Sequence, residues 1–367
     1  MPIQAKISVS MSLSIPRTCL KVGILALFLL FWLQNLSQPK KKEPPMQAAF
    51  GEVDQILEKN LKTLGNNVVA VIYKDSQIVY QKEIGEYFNI KSQAPIASCS
   101  KWLTAALVMT FVDQGKLDLD DPVSKYLPIF DKYMKSYVTI RHCLAHTTGI
   151  ENDKGKFLQR KKFASLEEEV NSYAAKEISN NAGTEFHYGN IGPTIAARVC
   201  EVIGKKAFER LVQERITRPL KMRATTFTND DGSAPNPSGG AKSTAGDYIN
   251  FLVMILNKGM FEGKRVLSEE AVAEMQKPQG NGVPIKYIPK VAEGYEYGLG
   301  EWIQEKDAKG IATVVSSPGL FGTWPYIDKC RNYVAIIFVK SLINEQKKEI
   351  YTSIKEAIDA QLPARCN

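Results

Sequence analysis

The sequence predicts an α+β protein: one antiparallel sheet built from both chain ends and flanked by helices, plus a mostly helical lobe. Three observations predict it. β-rich runs stand near both ends, at Val68–Tyr73 and Gln77–Ile84 and again between residues 297 and 339. The middle of the chain carries its apolar residues at helical spacing. Each end also supplies an amphipathic helix: Phe50, Val53, Ile56, Leu57 and Leu61 share one side of 46–63, and Ile350, Ile354 and Ile358 recur within Asn344–Leu362. A sheet needs a covering layer to bury its apolar face, so strands from both ends under the terminal helices are the economical arrangement.

The elements follow in order. Asn66-Asn67 marks a turn, and Lys74-Asp75-Ser76 joins two strands as a hairpin. A loop-like run, Asn89 to Pro95, leads into an apolar helix that starts at Ser98 and ends near Gly115. Asp120-Asp121-Pro122 predicts a helix start, with Pro at an early helical position. Thr139 to Gly149 reads as a short helix stopped by glycine. Leu166–Lys176, Ile191–Ile203 and Ala207–Ile216 read as helices, the last ended by Pro219. Asn229 to Gly240 is a loop. Ser243 is expected to cap a helix to about Asn257, and Ser268-Glu269-Glu270 to open another. Tyr297–Glu305, Ala312–Val315, Thr323–Asp328 and Tyr333–Val339 read as strands, with turns at Lys309-Gly310 and Cys330–Asn332.

Composition is globular: 367 residues, 44% hydrophobic and 23% charged, with no fixed-period repeat. The formal charge of +8 is concentrated at the start. Residues 1–50 hold six cations against Glu43 alone, a net of +5, which leaves +3 for the rest. A nucleic-acid surface needs clustered cations on the folded body, and the chain lacks one beyond the run Lys154–Lys162. No nucleic-acid partner is expected.

Arg17 and Lys21 precede an unbroken apolar run of 12 residues, Val22–Leu33. That is the pattern of a signal-peptide core, and it is short of the roughly 20 residues that a spanning helix requires. Residues 1–37 are therefore read as a signal peptide or an N-terminal membrane anchor, with residues 22–36 as the segment of any membrane association. Either way the chain is expected to be exported, as a periplasmic, secreted or membrane-anchored protein. Residues 38–45 form a charged, Pro-containing linker. Of six cysteines, none shows Cys-x-x-Cys spacing; buried thiols and a Cys330–Cys366 bridge both remain open.

The chemistry-bearing stretch is Ala97-Ser98-Cys99-Ser100-Lys101-Trp102. On a helix starting at Ser98, Lys101 lies one turn along on the same face. A serine hydroxyl needs a base within hydrogen-bond reach, and an amine can serve if burial and the positive helix end lower its pKa. Ser-x-x-Lys is common by itself and recurs at Ser37–Lys40. Tyr-x-Asn occurs at Tyr87, Tyr188 and Tyr248. Of these, only Tyr188 follows a loop and precedes a helix.

These stretches together resemble the serine β-lactamase-like, penicillin-binding-protein-like superfamily of class C β-lactamase-related hydrolases and esterases. Ser98–Lys101, Gly115–Val123, Thr139–Gly149, Gly183–Asn190, Gly239–Asp247 and Tyr297–Gly300 carry the resemblance, in this order. It covers most of a catalytic domain at 46–362, with a sheet lobe (46–97 and 290–362), a helical lobe (about 98–289) and a tail at 363–367. It implies a β-lactamase/transpeptidase-like fold and an acyl-enzyme on Ser98, with Lys101 and Tyr188 as general base and acid. It implies Asn190, Ser317, Gly319 and Leu320 as substrate-binding residues, and the Ser98 and Leu320 N–H groups as the oxyanion hole. No cofactor and no metal are expected.

The sequence departs from the family at one point. Where members commonly have Lys-Thr-Gly or His-x-Gly, this chain has Ser317-Pro318-Gly319. A cation for a substrate carboxylate is missing, so ester or amide hydrolysis is favoured over D-Ala peptidase or β-lactamase activity. A weakly catalytic ligand-binding member is a further alternative. His142 and His146, four apart, lack a glutamate base between them and read as structural.

Overall fold

The computed structural model describes residues 46–151, 160–280, 282–340 and 347–366. The leader, the 38–45 linker, Ser37–Lys40 and most of the basic run at 154–162 lie outside them. No helix among the described residues is long and apolar enough to cross a membrane.

The sheet is antiparallel and built from both ends. Its strands are β1 (Val68–Lys74), β2 (Gln77–Ile84), β3 (Glu296–Tyr297), β4 (Trp302–Lys306), β5 (Ala312–Ser316), β6 (Trp324–Asp328) and β7 (Tyr333–Val339), in spatial order β2-β1-β7-β6-β5-β4-β3. The join between the two ends is β1 against β7, from Val68 opposite Val339 to Lys74 opposite Tyr333. Val68–Tyr73 of β1 and all of β7 are apolar because both sheet faces are covered. Val68, Ala70 and Ile72 with Ala335, Ile337 and Val339 face one layer, and Val69 and Val71 with Ile336 and Phe338 face the other. The first layer is the terminal helices, α1 (Gly51–Lys59) and α8 (Lys348–Gln361).

The second layer belongs to the helical lobe. Its centre is α2 (Cys99–Val112), in which every residue from Cys99 to Phe111 is buried. A helix apolar on all sides has no solvent face to offer, so it runs through the core. Around it lie α3 (Ile140–Leu144), α4 (Leu166–Ala174), α5 (Ile191–Gly204), α6 (Ala245–Leu256) and α7 (Glu269–Met275).

Several expectations need correction. Asp120-Asp121-Pro122 does not open a helix; Pro122 bridges Thr139, and only a 3-10 turn, Val123–Lys125, follows. Thr244 caps α6 by accepting from Asp247 N–H, while Ser243 sits in a short strand. The 297–305 run is two strands, since Gly300, at φ +84°, turns the chain between them. The helix from Phe208 ends in a π turn, Gln213–Thr217. The 363–367 tail is tied back: Cys366 is disulfide-bonded to Cys330, and Arg365 N–H donates to the Cys330 carbonyl.

Candidate active site

The loop before α2 is fixed from the side. Ala94 and Pro95 pair with Ser243 and Lys242, and Ile96 N–H donates to the Ala241 carbonyl at 2.9 Å. Ala97 then adopts φ +45°, a left-handed conformation that a β-carbon disfavours and that persists where surrounding structure imposes it. This turn delivers Ser98 to the start of α2. Its side chain makes no capping hydrogen bond, so the hydroxyl is not consumed by the helix.

Lys101 is 1% exposed. Its Nζ lies 3.3 Å from Ser98 Oγ, 3.0 Å from Asn190 Oδ1 and 2.8 Å from the Ser238 carbonyl. The last two groups can only accept. A neutral amine therefore spends its two N–H groups on them and turns its lone pair toward the Ser98 O–H. Burial favours that neutral form and pushes the Lys101 pKa from 10.5 down to about 7.

Tyr188 closes the other side. It is 4% exposed, and its ring centroid is 4.9 Å from the Lys101 amine. Burial pushes its pKa well above the ordinary value, and the Ser98 contact opposes this only in part. The two groups flanking Ser98 are thus driven apart: the amine toward its free base, the phenol toward its acid.

An aromatic box holds Tyr188 in place. His146, Trp302 and Tyr297 stand 4.6, 5.1 and 5.8 Å from its ring. His146 Nδ1 accepts from Gly189 N–H, so Nε2 carries the proton and donates to Tyr297 Oη at 3.1 Å. Burial first, and then the nearby Lys101, keep this imidazole neutral. His142 is used locally: its Nδ1 accepts from Thr139 N–H in the capping box of α3.

Of the expected binding residues, Asn190 sits at the start of α5 and orients Lys101. Leu320 is exposed beside the nucleophile loop. Its N–H and that of Ser98 donate to nothing among the described residues, which leaves both for a developing oxyanion. Ser317 and Gly319 both lie against the nucleophile loop. The Ser317 side chain is 1% exposed and turns inward, with Oγ 3.2 Å from the Gly300 carbonyl and 3.4 Å from that of Ser98. At Gly319 a β-carbon would come within 2.2 Å of the Ile96 carbonyl. Its missing side chain lets the segment after β5 pack against the nucleophile loop.

Sequence reasoning missed Ser238. Its carbonyl receives the Lys101 amine, and its hydroxyl donates to the Asn190 carbonyl at 2.7 Å. A backbone acceptor leaves no residue-type signal. Arg160, paired with the buried Glu169, holds this loop by donating to the Ala234 and Pro235 carbonyls. The other Tyr-x-Asn tyrosines are accounted for elsewhere. Tyr87 is 89% exposed, and Tyr248 donates to the Cys99 carbonyl from inside α6.

Comparison with known proteins places the chain in a family. A family described as Beta-lactamase matches residues 53–358. Beta-lactamase-like protein 2 of Dictyostelium discoideum is 26% identical over 66% of this chain and 52% of its own length. The D-alanyl-D-alanine-carboxypeptidase/endopeptidase AmpH of Escherichia coli K12 is 24% identical over 63% of this chain and 66% of its own. The match thus spans about half to two thirds of these curated relatives. A solved structure from Bacteroides dorei, assigned as a candidate beta-lactamase, superposes with a TM-score of 0.76 at 29% identity, covering 84% of this chain and 98% of that one.

Proposed function

Because the chain belongs to the beta-lactamase family, we propose that it is a serine acyl hydrolase working through an acyl-enzyme on Ser98. The observation that carries this reading is the buried Lys101 amine 3.3 Å from the Ser98 hydroxyl, with its pKa lowered to about 7. Neutral Lys101 takes the Ser98 proton as Oγ attacks the acyl carbon. The oxyanion forms against the Ser98 and Leu320 N–H groups. The proton passes from Lys101 through the Tyr188 phenol to the leaving group, and the alcohol or amine departs. Water then attacks the ester by the same route in reverse.

The substrate class follows from what flanks the serine. Family members act on ester, amide or peptide substrates. Here no side-chain cation stands at Ser317, whose hydroxyl is occupied by backbone carbonyls. Leu320, and Tyr287 beside the Tyr188 backbone, offer exposed apolar surface instead. A neutral ester or amide fits these features better than a substrate with a terminal carboxylate. The similarity to a D-alanyl-D-alanine carboxypeptidase keeps peptidase activity as a second reading. The charged leader and the Cys330–Cys366 disulfide both support export to an oxidising compartment.

A panel of p-nitrophenyl acyl esters, D-Ala-D-Ala peptides and nitrocefin tests the assignment, with Ser98→Ala as control. Ester turnover lost in Ser98→Ala is expected, with peptides and nitrocefin much slower. Faster cleavage of D-Ala-D-Ala would favour the second reading. Absence of all turnover would leave a ligand-binding protein.

A further inference from the structure

Away from Ser98, the end of α6, the outer side of α7 and the turn between β4 and β5 enclose a cavity of about 540 Å³. That is within the usual size of small-molecule sites. Leu256, Val272, Pro278 and Ile311 give it apolar walls, and Lys258, Glu269, Lys277 and Lys329 also line it.

The three amines are not equivalent. Lys258 is paired with Glu269 at 2.5 Å and Lys277 with Glu274 at 2.6 Å. Lys329 has no carboxylate within ion-pair distance among the described residues; its Nζ donates to a neutral acceptor, Gln276 Oε1, at 2.7 Å. Burial and the neighbouring Lys258 charge both depress its pKa, against the attraction of Glu301 and Asp307. Gln276 is only 7% exposed, yet its Nε2 makes no hydrogen bond, and it turns toward Glu301 without reaching bonding geometry. Lys329 is thus the one amine of the three without a carboxylate partner among the described residues, in a cavity wall that also holds Glu269 and Asn332.

We propose that this cavity is a second ligand site, and that it takes a small carboxylic acid with an apolar chain. The carboxylate would accept from Lys329 Nζ, and the chain would lie against Leu256, Val272 and Ile311. A single carboxylate supplies the ion-pair partner that Lys329 lacks. The chain distinguishes such a ligand from a bare inorganic anion. The inference does not depend on turnover at Ser98.

Titration calorimetry with octanoate on the full-length protein tests it. One octanoate per chain is expected to bind wild type and Ser98→Ala equally. Octanol, without charge, and inorganic phosphate, without a chain, are expected to bind at least about tenfold more weakly, as expected for loss of a charge-assisted hydrogen bond or of the apolar contact. Lys329→Met should lose a similar factor. Ile311→Glu, at an exposed position that does not threaten folding, should lose at least as much by placing a negative charge at the rim. Unchanged octanoate affinity in either variant, loss of binding in Ser98→Ala, or no saturable binding to wild type would overturn the proposal.

Discussion

The Lys101 amine stands 3.3 Å from the Ser98 hydroxyl, with its two remaining contacts made to groups that only accept. This relationship fixes the direction of proton transfer. It also sets a pH dependence. Esterase kcat/KM should rise with pH through about 7, as Lys101 loses its proton, and Lys101→Met should lower it by about 10²–10⁴ and abolish that limb. The same shift has a stability consequence. Between about 7 and 10.5 the unfolded chain holds a proton that the folded one has released, so stability from this group rises with pH across that window. Lys101→Met should therefore raise Tm more at pH 6 than at pH 10, which thermal melts will show.

Tyr188 should act through its hydroxyl rather than its ring. Tyr188→Phe keeps the packing against His146 and Trp302. It is expected to change Tm little while reducing kcat by about 10²-fold or more. Stopped-flow measurement should show slower acylation of Ser98 with KM little altered.

Gly319 is a spacing residue. In Gly319→Ala the new β-carbon would meet the Ile96 carbonyl at 2.2 Å and Cys99 Sγ at 3.1 Å, so the segment carrying the Leu320 N–H must move off the nucleophile loop. The expected outcome is a kcat loss of about 10²–10³, the usual effect of removing one oxyanion donor. A lower Tm should accompany it, measured on the same preparation.

Glu301 is a buried liability. Both its carboxyl oxygens lack hydrogen-bond partners, and burial raises its pKa from 4.5 to about 8. Between those values the folded chain holds a proton that the unfolded chain has lost. Stability from this group therefore falls as pH rises, by up to about 1.4 kcal/mol per pH unit. Glu301→Gln should raise Tm at pH 9 and have little effect at pH 4. Equal gains at both pH values would contradict the assignment.

Much of the sheet was legible because its signal is local. Val68–Tyr73 and Tyr333–Val339 are apolar at successive positions, and no other use of such runs competes with a strand covered on both faces. Ser98, Lys101, Tyr188 and Asn190 were legible as a set, although they are brought together across 92 residues of chain, because each lies in its own short pattern. What escaped depends on contacts between distant segments. Pro122 had the composition of a helix start, but pairing with Thr139 overrode it. Ser317 and Gly319 follow directly on β5, and their orientation is decided by the Gly300 and Ile96 carbonyls that meet them. The Ser238 carbonyl was invisible for the same reason: a backbone acceptor is defined by where the chain folds.

The central claim is that Ser98 carries the acyl group, and intact-mass analysis after treatment with a fluorophosphonate probe tests it most directly. The account predicts one adduct per wild-type chain, formed faster as pH rises through about 7, and none on Ser98→Ala. Labelling that persists in Ser98→Ala, or a wild-type chain that takes no label at any pH, would contradict it.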